Sequence, residues 1–357
     1  TVASGLFTDA AGNSGGAGTT PSISIDTLAP TIAITSNKSA VKAGETATIT
    51  FTLSEAATDF AAGDIVTTGG TLSNFSGSGT TYTATFTPTA SLASGTASIT
   101  VASGLFTDAA GNSGGAGSTP SISIDTLAPN APTLALAADT GTASDAKTSN
   151  GQVNVTGIET GATWEYSTNN GNNWTAGTDS SFTLAGDGAK SVIVRQTDAA
   201  GNTGANSNAL AFTLDTTGPV ISSGATATAI NENSGTGQTV YTAAATDAGV
   251  GGVVYSLKAN TGDVAAFSID SGTGAVTLSG DPNYETKGSY AFTVVATDAA
   301  GNASEKAVTL GINNVNEAPT VANAIADQVF VVGGPVDSFQ VPANSFADVD
   351  ANTSFTY

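Results

Sequence analysis

Carboxylate side chains recur in this sequence beside short segments that end in proline. The sequence Asp-Ala-Ala-Gly-Asn occurs at 9–13, 108–112, 198–202 and 298–302, and acidic or Asn-rich segments followed by proline occupy 26–30, 125–129, 215–219 and 314–319. Calcium takes roughly six to eight hard oxygen ligands from carboxylates, amides and carbonyls. The recurrence therefore predicts calcium ions near the proline-ended segments, which we call linkers.

The candidate ligands come from three separated parts of the chain at each linker. In a two-sheet sandwich, the loop after the second strand and the loop before the last strand lie at the end where the chain enters. Carboxylates gathered there repel one another unless a cation lies among them. The predicted ligands are Asp26, Glu55, Asp108 and Asn112 for one linker, Asp125, Glu159, Asp198 and Asn202 for the next, and Asp9 and Asn13 in the first copy of the loop.

A plainer interpretation stays open for these acidic segments. Asp, Asn and Gly are common turn formers, so the same residues are also typical of solvated turns. The recurrence at each linker favours calcium over this alternative.

The composition excludes several classes of function. The chain has 29 Asp and Glu against 8 Lys and Arg, a net charge of −21, and neither Cys nor His. Nucleic acids and anionic membranes would repel such a chain. Without thiolate or imidazole, zinc sites of the usual kind and Ser or Cys nucleophiles with a His base are absent. Paired carboxylates could serve a glycosidase, but calcium binding already accounts for them, so we expect no enzyme.

A near-identical repeat sets the size of the building block. Residues 1–30 recur at 100–129, 99 residues later, with Thr19 replaced by Ser118. This spacing is that of one immunoglobulin-sized sandwich. The predicted blocks are 1–26 (the last strands of one sandwich), 27–125, 126–215 (a sandwich of a second type), 216–318, and 319–357 (the start of another).

The elements that would position these loops are β-strands. Ala47, Ile49, Phe51 and Leu53 alternate with threonines, and Tyr82, Ala84 and Phe86 repeat the pattern, which is typical of strands with one buried face. No apolar run approaches the roughly 20 residues of a membrane span, so we expect no membrane insertion within this segment. The sequence predicts an all-β chain of tandem Ig-like sandwiches, arranged as an elongated rod because short proline-containing linkers limit bending.

The fourth block resembles a cadherin repeat, so the predicted rod combines Ig-like and cadherin-like sandwiches, and 319–357 is predicted to be the N-terminal part of a further cadherin-like domain. The resemblance lies in the segments 230–233, 245–248, 255–257, 271–278, 283–285 and 296–301, in their order and spacing. It implies calcium ligands at two linkers, with departures from the family pattern at Gly249 and Asn283. The implied ligands are Asp215, Asp247 and Asp298 where the block begins, Glu232, Glu285, Asn314, Asn316 and Glu317 where it ends, and Asp348 and Asp350 in the block that follows.

The whole chain resembles the extender regions of large repeat adhesins of Gram-negative bacteria, of the RTX and biofilm-associated types. The near-identical repeat, the linkers and the Asp-Ala-Ala-Gly-Asn loops carry this resemblance. It implies a spacer on the bacterial cell surface, exported by a type I system, stiffened by calcium and by neighbouring domains of the same chain, that projects a distal binding domain for adhesion or biofilm formation. The alternative is a module that itself binds a glycan or a protein, including a homophilic contact, with Trp164, Tyr166 and Trp174 as a sugar-stacking platform.

Overall fold

The computed structural model describes residues 1–249, 251–328, 332, 339–350 and 354–356. They group into two compact units. One comprises 1–132, 157–165 and 194–207; the other comprises 133–156, 166–193 and the described part of 208–357. The predicted block 126–215 thus contributes to both units, and the predicted block 319–357 lies partly outside the described residues.

A sandwich of two mostly antiparallel sheets forms the body of the first unit. In one sheet Ile32 lies opposite Leu53, and Thr48 lies opposite Thr85. In the other, Val41 lies beside Ile124 on a parallel pair. The strands are β1 (Ile32–Ser36), β2 (Ala40–Lys42), β3 (Ala47–Leu53), β4 (Ile65–Thr68), β5 (Gly70–Ser78), β6 (Thr81–Pro88), β7 (Gly95–Val101), β8 (Gly117–Ser118) and β9 (Ile122–Asp125), with sheet orders β1-β3-β6-β5 and β2-β9-β7-β4, and β8 beside β7.

Alternation along the strands builds the core between these two sheets. Along β3 the inward residues from Ala47 to Leu53 are all buried, as predicted, and so are the inward residues of β6. Phe60 lies at the centre of an aromatic cluster, with ring centroids 5.1 Å from Tyr82 and 5.6 Å from Phe51, Phe75 and Phe106 in edge-to-face geometry. Such pairs add to the hydrophobic gain from burial.

Residues of the predicted block 126–215 form two further sheets. In the second unit, Leu134 lies opposite Val155, and Lys190 lies opposite Phe212. Val153, Phe212 and Leu214 form a small buried core. The strands are β10 (Thr133–Leu136), β11 (Lys147–Thr148), β12 (Gln152–Thr156), β13 (Thr163–Ser167), β14 (Thr175–Ala176), β15 (Ser181–Thr183), β16 (Gly188–Thr197) and β17 (Leu210–Leu214), in sheet orders β10-β12-β15 and β11-β17-β16-β13-β14.

The second unit also contains a sandwich that follows Asp215. Its long hairpin pairs Ser289 with Gly311 at one end and Thr297 with Ala303 at the other. Its core includes Val276, Phe292 and Leu310. The strands are β18 (Val220–Ile221), β19 (Ile230–Asn231), β20 (Gln238–Thr242), β21 (Ala245–Thr246), β22 (Val254–Leu257), β23 (Phe267–Ile269), β24 (Ala275–Leu278), β25 (Ser289–Thr297) and β26 (Ala303–Asn313), in sheet orders β19-β26-β25-β22, β20-β24-β23 and β18-β21.

The remaining described elements are short. β27 (Thr320–Val321) pairs with β28 (Phe346–Ala347), and two single turns of 3₁₀-helix lie at Ala62–Asp64 and Val264–Ala266. In the part of the chain that the structure describes, no helix is long and apolar enough to cross a membrane. The predicted all-β sandwich architecture is confirmed.

Candidate metal centres

The Asp-Ala-Ala-Gly-Asn loop holds its aspartate in a fixed position. In the copy at 108–112, the Asp108 carboxylate accepts the N–H groups of Ala110 and Asn112 at 2.9 and 2.8 Å, and the Asn112 amide at 2.8 Å. Gly111 has φ +90°, a conformation that strains other residues, which explains the glycine. Asp9, Asp198 and Asp298 accept the same bond from Asn13, Asn202 and Asn302.

Centre 1 consists of Asp26, Glu55 and Asp108, whose carboxylates each place an oxygen within 4.8 Å of the others. Asp26 belongs to a linker, Glu55 follows β3, and Asp108 follows β7. Desolvation, and then the charges of Asp26 and Asp108, raise the pKa of Glu55 above its usual value. The Asn112 amide, together with backbone N–H groups, lowers the pKa of Asp108. The centre therefore gathers negative charge that only a cation or a proton relieves.

Centre 2 consists of Asp215, Asp247 and Asp298, grouped within the same distance. Asp215 and Asp298 are 1% and 5% exposed. Asp247 Oδ1 is buried and accepts no hydrogen bond. Buried carboxylate oxygens without a donor are costly, so this atom points to a missing positive partner.

The glycine that departs from the cadherin pattern has a structural reason at centre 2. A Cβ on Gly249 would overlap the carboxylate of Asp215. The linker aspartate therefore occupies the space that a side chain at 249 would need.

Centre 3 consists of Glu232, Glu285 and Glu317. Glu232 is 2% exposed and accepts the N–H groups of Val315 and Tyr284, both at 2.7 Å. The Val315 N–H is the main cause that lowers the pKa of Glu232, whereas desolvation raises the pKa of Glu285. Glu317 Oε2 is buried and has no hydrogen-bond donor.

Residues of the last predicted block reach centre 3 through Asp350. The Glu317 N–H donates to Asp350 Oδ2 at 2.8 Å, and the negative charge of Asp350 acts on the Glu232 carboxyl. Asp348 accepts the N–H of Asp350 at 3.0 Å. Asp350 is thus near the centre, whereas Asp348 supports its loop.

The predicted asparagine ligands make hydrogen bonds through their amide nitrogens. Asn112 and Asn202 turn their amide nitrogen toward the aspartate of their own loop, and also donate to the backbone oxygen of Asp26 and Asp125 at 3.3 and 3.1 Å. Asn13 donates to Asp9 and Asn314 donates to Glu285. Asn316 donates to a backbone oxygen, that of Glu317. The hydrogen bonds from these amides hold carboxylates or the linker backbone in position.

One predicted set of carboxylates does not come together. Among the described residues, the three centres above are the groups of three acidic side chains that meet within 4.8 Å, and Asp125, Glu159 and Asp198 do not form another. Glu159 is exposed, and its backbone N–H donates to Gln196 Oε1 at 2.8 Å. Spacing along the sequence placed Glu159 correctly in a loop but not its side chain.

Several contacts at these loops involve residues that were not predicted as ligands. Asn302 donates to Asp298 Oδ2 at 2.8 Å and to the backbone oxygen of Asp215 at 2.9 Å. Thr140 Oγ1 donates to the Ala300 oxygen at 2.5 Å, and the neighbouring Asp139 has a buried Oδ1 without a donor. Asn302 had a signal, because the loop at 298–302 repeats the motif of the other three.

The sugar-stacking platform meets an obstacle in Trp164, whose side chain is only 6% exposed. A sugar stacks on an open ring face, so Trp164 contributes to packing instead.

The donor sets of the three centres fit calcium. Each offers three carboxylates and no softer ligand, and centres 2 and 3 each hold a buried carboxylate oxygen with no hydrogen-bond donor. Hard oxygen ligands of this kind are those that calcium takes.

Two segments of the chain match known domain families. Residues 26–126 match the family model described as a bacterial Ig-like domain, and residues 226–313 match that of the cadherin domain. No curated protein matches the chain.

Similar solved structures are cadherin ectodomains. The "Protocadherin gammaB7 EC3-6 cis-dimer structure" is 17% identical, with 82% of this chain and 76% of that chain covered and a TM-score of 0.28. Drosophila N-cadherin EC1-4 is 16% identical over 63% of this chain and 60% of its own, with a TM-score of 0.28. The third cadherin domain of human protocadherin 7 is 25% identical over 27% of this chain and 86% of its own, with a TM-score of 0.24.

The family matches describe the kind of protein to which these domains belong. The bacterial Ig-like and cadherin families consist of adhesion and structural domains that are not enzymes. A chain that carries both is consistent with an extracellular structural protein of the adhesion type.

Proposed function

We propose that this chain is a spacer in a bacterial cell-surface adhesin, and that calcium at its linkers stiffens it. The observation that carries the proposal is that two of the centres combine a linker residue with residues of the sandwich that follows the linker. Centre 1 combines the linker residue Asp26 with Glu55 and Asp108 of the sandwich that follows, and centre 2 combines Asp215 with Asp247 and Asp298 in the same way.

Electrostatics makes each linker sensitive to the ion. Two unit charges about 4 Å apart repel by roughly 4 kcal/mol at an effective dielectric constant of 20. Three carboxylates within 4.8 Å therefore push the linker away from the sandwich loops when no cation is present. A calcium ion held by Asp26, Glu55 and Asp108 would replace this repulsion by attraction between the ion and each carboxylate.

A bound calcium ion would contribute a divalent positive charge that the carboxylates share. The protein supplies the geometry. Asn112 and Asn302 hold the aspartates of their loops and also donate to the linker backbone, so each linker already lies beside its centre. Such preorganisation lowers the entropy that ion binding must offset.

Centre 3 combines domain and linker carboxylates in the same way at the end of the cadherin domain. Glu232 and Glu285 belong to that domain, and Glu317 belongs to the linker 314–319. Asn233 Nδ2 donates to Glu317 Oε1 at 2.7 Å, which leaves Glu317 Oε2 for the ion. The linkers at both ends of the cadherin domain are thus proposed calcium sites.

The biological role follows from stiffness and reach. With its linkers held straight, the rod of sandwiches would project a distal binding domain from the cell surface for adhesion or biofilm formation, after export by a type I system. The strong negative charge keeps such chains soluble and apart.

Small-angle X-ray scattering in millimolar calcium and in excess chelator tests the proposal. We expect the maximum dimension to fall and flexibility to rise when calcium is removed. A variant with Glu55→Gln, Asp247→Asn and Glu317→Gln loses one carboxylate from each centre, so its scattering should differ much less between calcium and chelator than that of the unmodified chain. A matched variant with Asp145→Asn, Glu165→Gln and Glu305→Gln, outside the centres, should keep the calcium response. Identical scattering curves with and without calcium would refute the proposal.

A further inference from the structure

The linker at 125–129 has the same sequence as the linker at 26–30, yet different groups surround it. At Asp26 the sandwich loops supply Glu55 and Asp108. At Asp125 the sandwich loops supply Asp198. Glu159 is exposed, and among the described residues it does not form a group of three carboxylates with Asp125 and Asp198.

A buried glutamine binds the loop that carries Glu159. Gln196 is 0% exposed, and its Oε1 accepts the Glu159 N–H at 2.8 Å. Its Nε2 donates to the oxygens of Asn130 and Gly157 at 2.7 and 2.9 Å. The amide oxygen and both amide hydrogens are used, so Gln196 joins the loop at 157–159 to Asn130, which directly follows the linker, without a charge.

Asn202 makes the second set of uncharged contacts. It is 4% exposed and donates to Asp198 Oδ2 at 2.8 Å and to the Asp125 oxygen at 3.1 Å. Its Oδ1 accepts the N–H of Ala43 at 2.8 Å, which connects the loop to the preceding sandwich.

Lys42 brings a positive charge of the protein's own to this linker. It lies opposite Asp125 on the parallel pair β2–β9, and its ammonium donates to the Gly201 oxygen at 2.8 Å. A hydrogen bond from a charged donor is stronger than one between neutral groups. The ammonium is part of the chain, so a chelator cannot remove it.

We propose that the linker at 125–129 is closed by Lys42, Gln196 and Asn202 without calcium. The chain then has two kinds of linker: those at 26–30, 215–219 and 314–319 open when calcium is removed, whereas this one stays closed. The contrast rests on the proposed function, because it assumes that the other three linkers bind calcium.

Hydrogen exchange of the whole chain, followed by mass spectrometry, tests this inference. Each linker is compared with itself in calcium and in chelator, because the N–H groups of Thr126 and Leu127 also donate to the Leu92 oxygen, at 2.8 and 3.1 Å, and this slows exchange at 125–129 in both conditions. In chelator we expect exchange to rise about tenfold or more at 26–30, 215–219 and 314–319. Peptides that contain 125–129 and the Ala43 N–H should not change.

A substitution makes the test specific for the lysine. Lys42→Met should speed exchange at 125–129 about ten- to hundredfold, with and without calcium, which is the usual loss for a hydrogen bond to a charged group. Lys147→Met is the control, because Lys147 lies on β11, which pairs in parallel with β17 as β2 pairs with β9, and its ammonium lies 3.6 Å from Asp145 rather than beside the linker at 125–129. The control should leave 125–129 unchanged.

The outcomes separate the two proposals. If chelator opens 125–129 as it opens the others, or if Lys42→Met leaves its exchange unchanged, the inference is overturned. If chelator opens no linker while Lys42→Met opens 125–129, the lysine closure stands and the proposed calcium function fails.

Discussion

Glu55 and Asp108 place carboxylate oxygens within 4.8 Å of each other, and their pKa values move in opposite directions. Asp108 is held as an anion by the Asn112 amide and backbone N–H groups, whereas Glu55 has lost water without gaining such donors. Glu55 is therefore the residue of centre 1 whose charge depends most on the ion.

Glu55→Gln should stabilise the ion-free chain at neutral pH and weaken its response to calcium. A carboxyl with a raised pKa binds more protons folded than unfolded, so ion-free stability falls as pH rises from the ordinary glutamate pKa through the raised one. The amide removes this loss and also removes a ligand. Thermal melts in chelator and in calcium check both effects, with Glu45→Gln as the control, since Glu45 pairs with Lys38 outside the centre. An unchanged calcium response would contradict the prediction.

Acid should release calcium from centre 1 at a higher pH than expected for ordinary carboxyls. Protons and calcium compete for Glu55, whose pKa is raised, while the lowered pKa of Asp108 keeps that residue charged to lower pH. Calcium titrations by calorimetry between neutral pH and pH about 4 would show the affinity falling first as Glu55 gains its proton. Glu55→Gln should flatten this part of the profile.

Gly249→Ala should damage centre 2 because its Cβ would overlap the Asp215 carboxylate. We expect about 1–3 kcal/mol of destabilisation from the forced shift and weaker calcium binding at 215–219. Gly252→Ala is the control, because a Cβ there meets nothing within 4 Å. Denaturant unfolding and calcium titration measure the two effects. Equal behaviour of the two variants would show that Asp215 moves without cost.

Asn302→Ala should loosen the linker at 215–219 even in calcium. The amide donates to both Asp298 and the Asp215 backbone, and leaving these acceptors without a donor costs about 1–3 kcal/mol. Asn206→Ala, at an exposed position, is the control. Hydrogen exchange at 215–219 should rise in the first variant and stay constant in the second.

Phe60→Ala should unfold the sandwich at 27–125 more easily than any surface change. Phe60 touches four other rings and is 6% exposed, so its loss should cost about 3–5 kcal/mol. Val66→Ala, 58% exposed in the same sandwich, should cost little. Denaturant unfolding measures the difference. Calcium binding at centre 3 should be unaffected, because it belongs to the other unit.

Local pattern was sufficient to predict much of the fold. The alternation at Ala47, Ile49, Phe51 and Leu53 and the one at Tyr82, Ala84 and Phe86 predicted two strands, and the structure has strands at Ala47–Leu53 and Thr81–Pro88. Each depends on residues close in sequence, where period-2 burial dominates.

The contacts that were missed join distant parts of the chain. Lys42 meets Gly201 across 159 residues, and spacing along the sequence does not reveal such a pair. Gln196 did carry a signal. It lies two residues before Asp198, and the residues at the same distance before Asp108 and Asp298 are the apolar Phe106 and Ala296. A polar residue at this position indicates that the linker at 125–129 has different contacts from the other linkers.

The three centres are not chemically equal, so the calcium response proposed above would be graded. Centre 2 is made of three aspartates, two of them buried, whereas centre 3 is made of three glutamates, one of them exposed. Sites that differ in ligand length and solvation fill at different calcium concentrations. As the calcium concentration rises, the linkers would then become stiff one after another rather than all at once. The stiffness of the chain would therefore change gradually with the local calcium concentration.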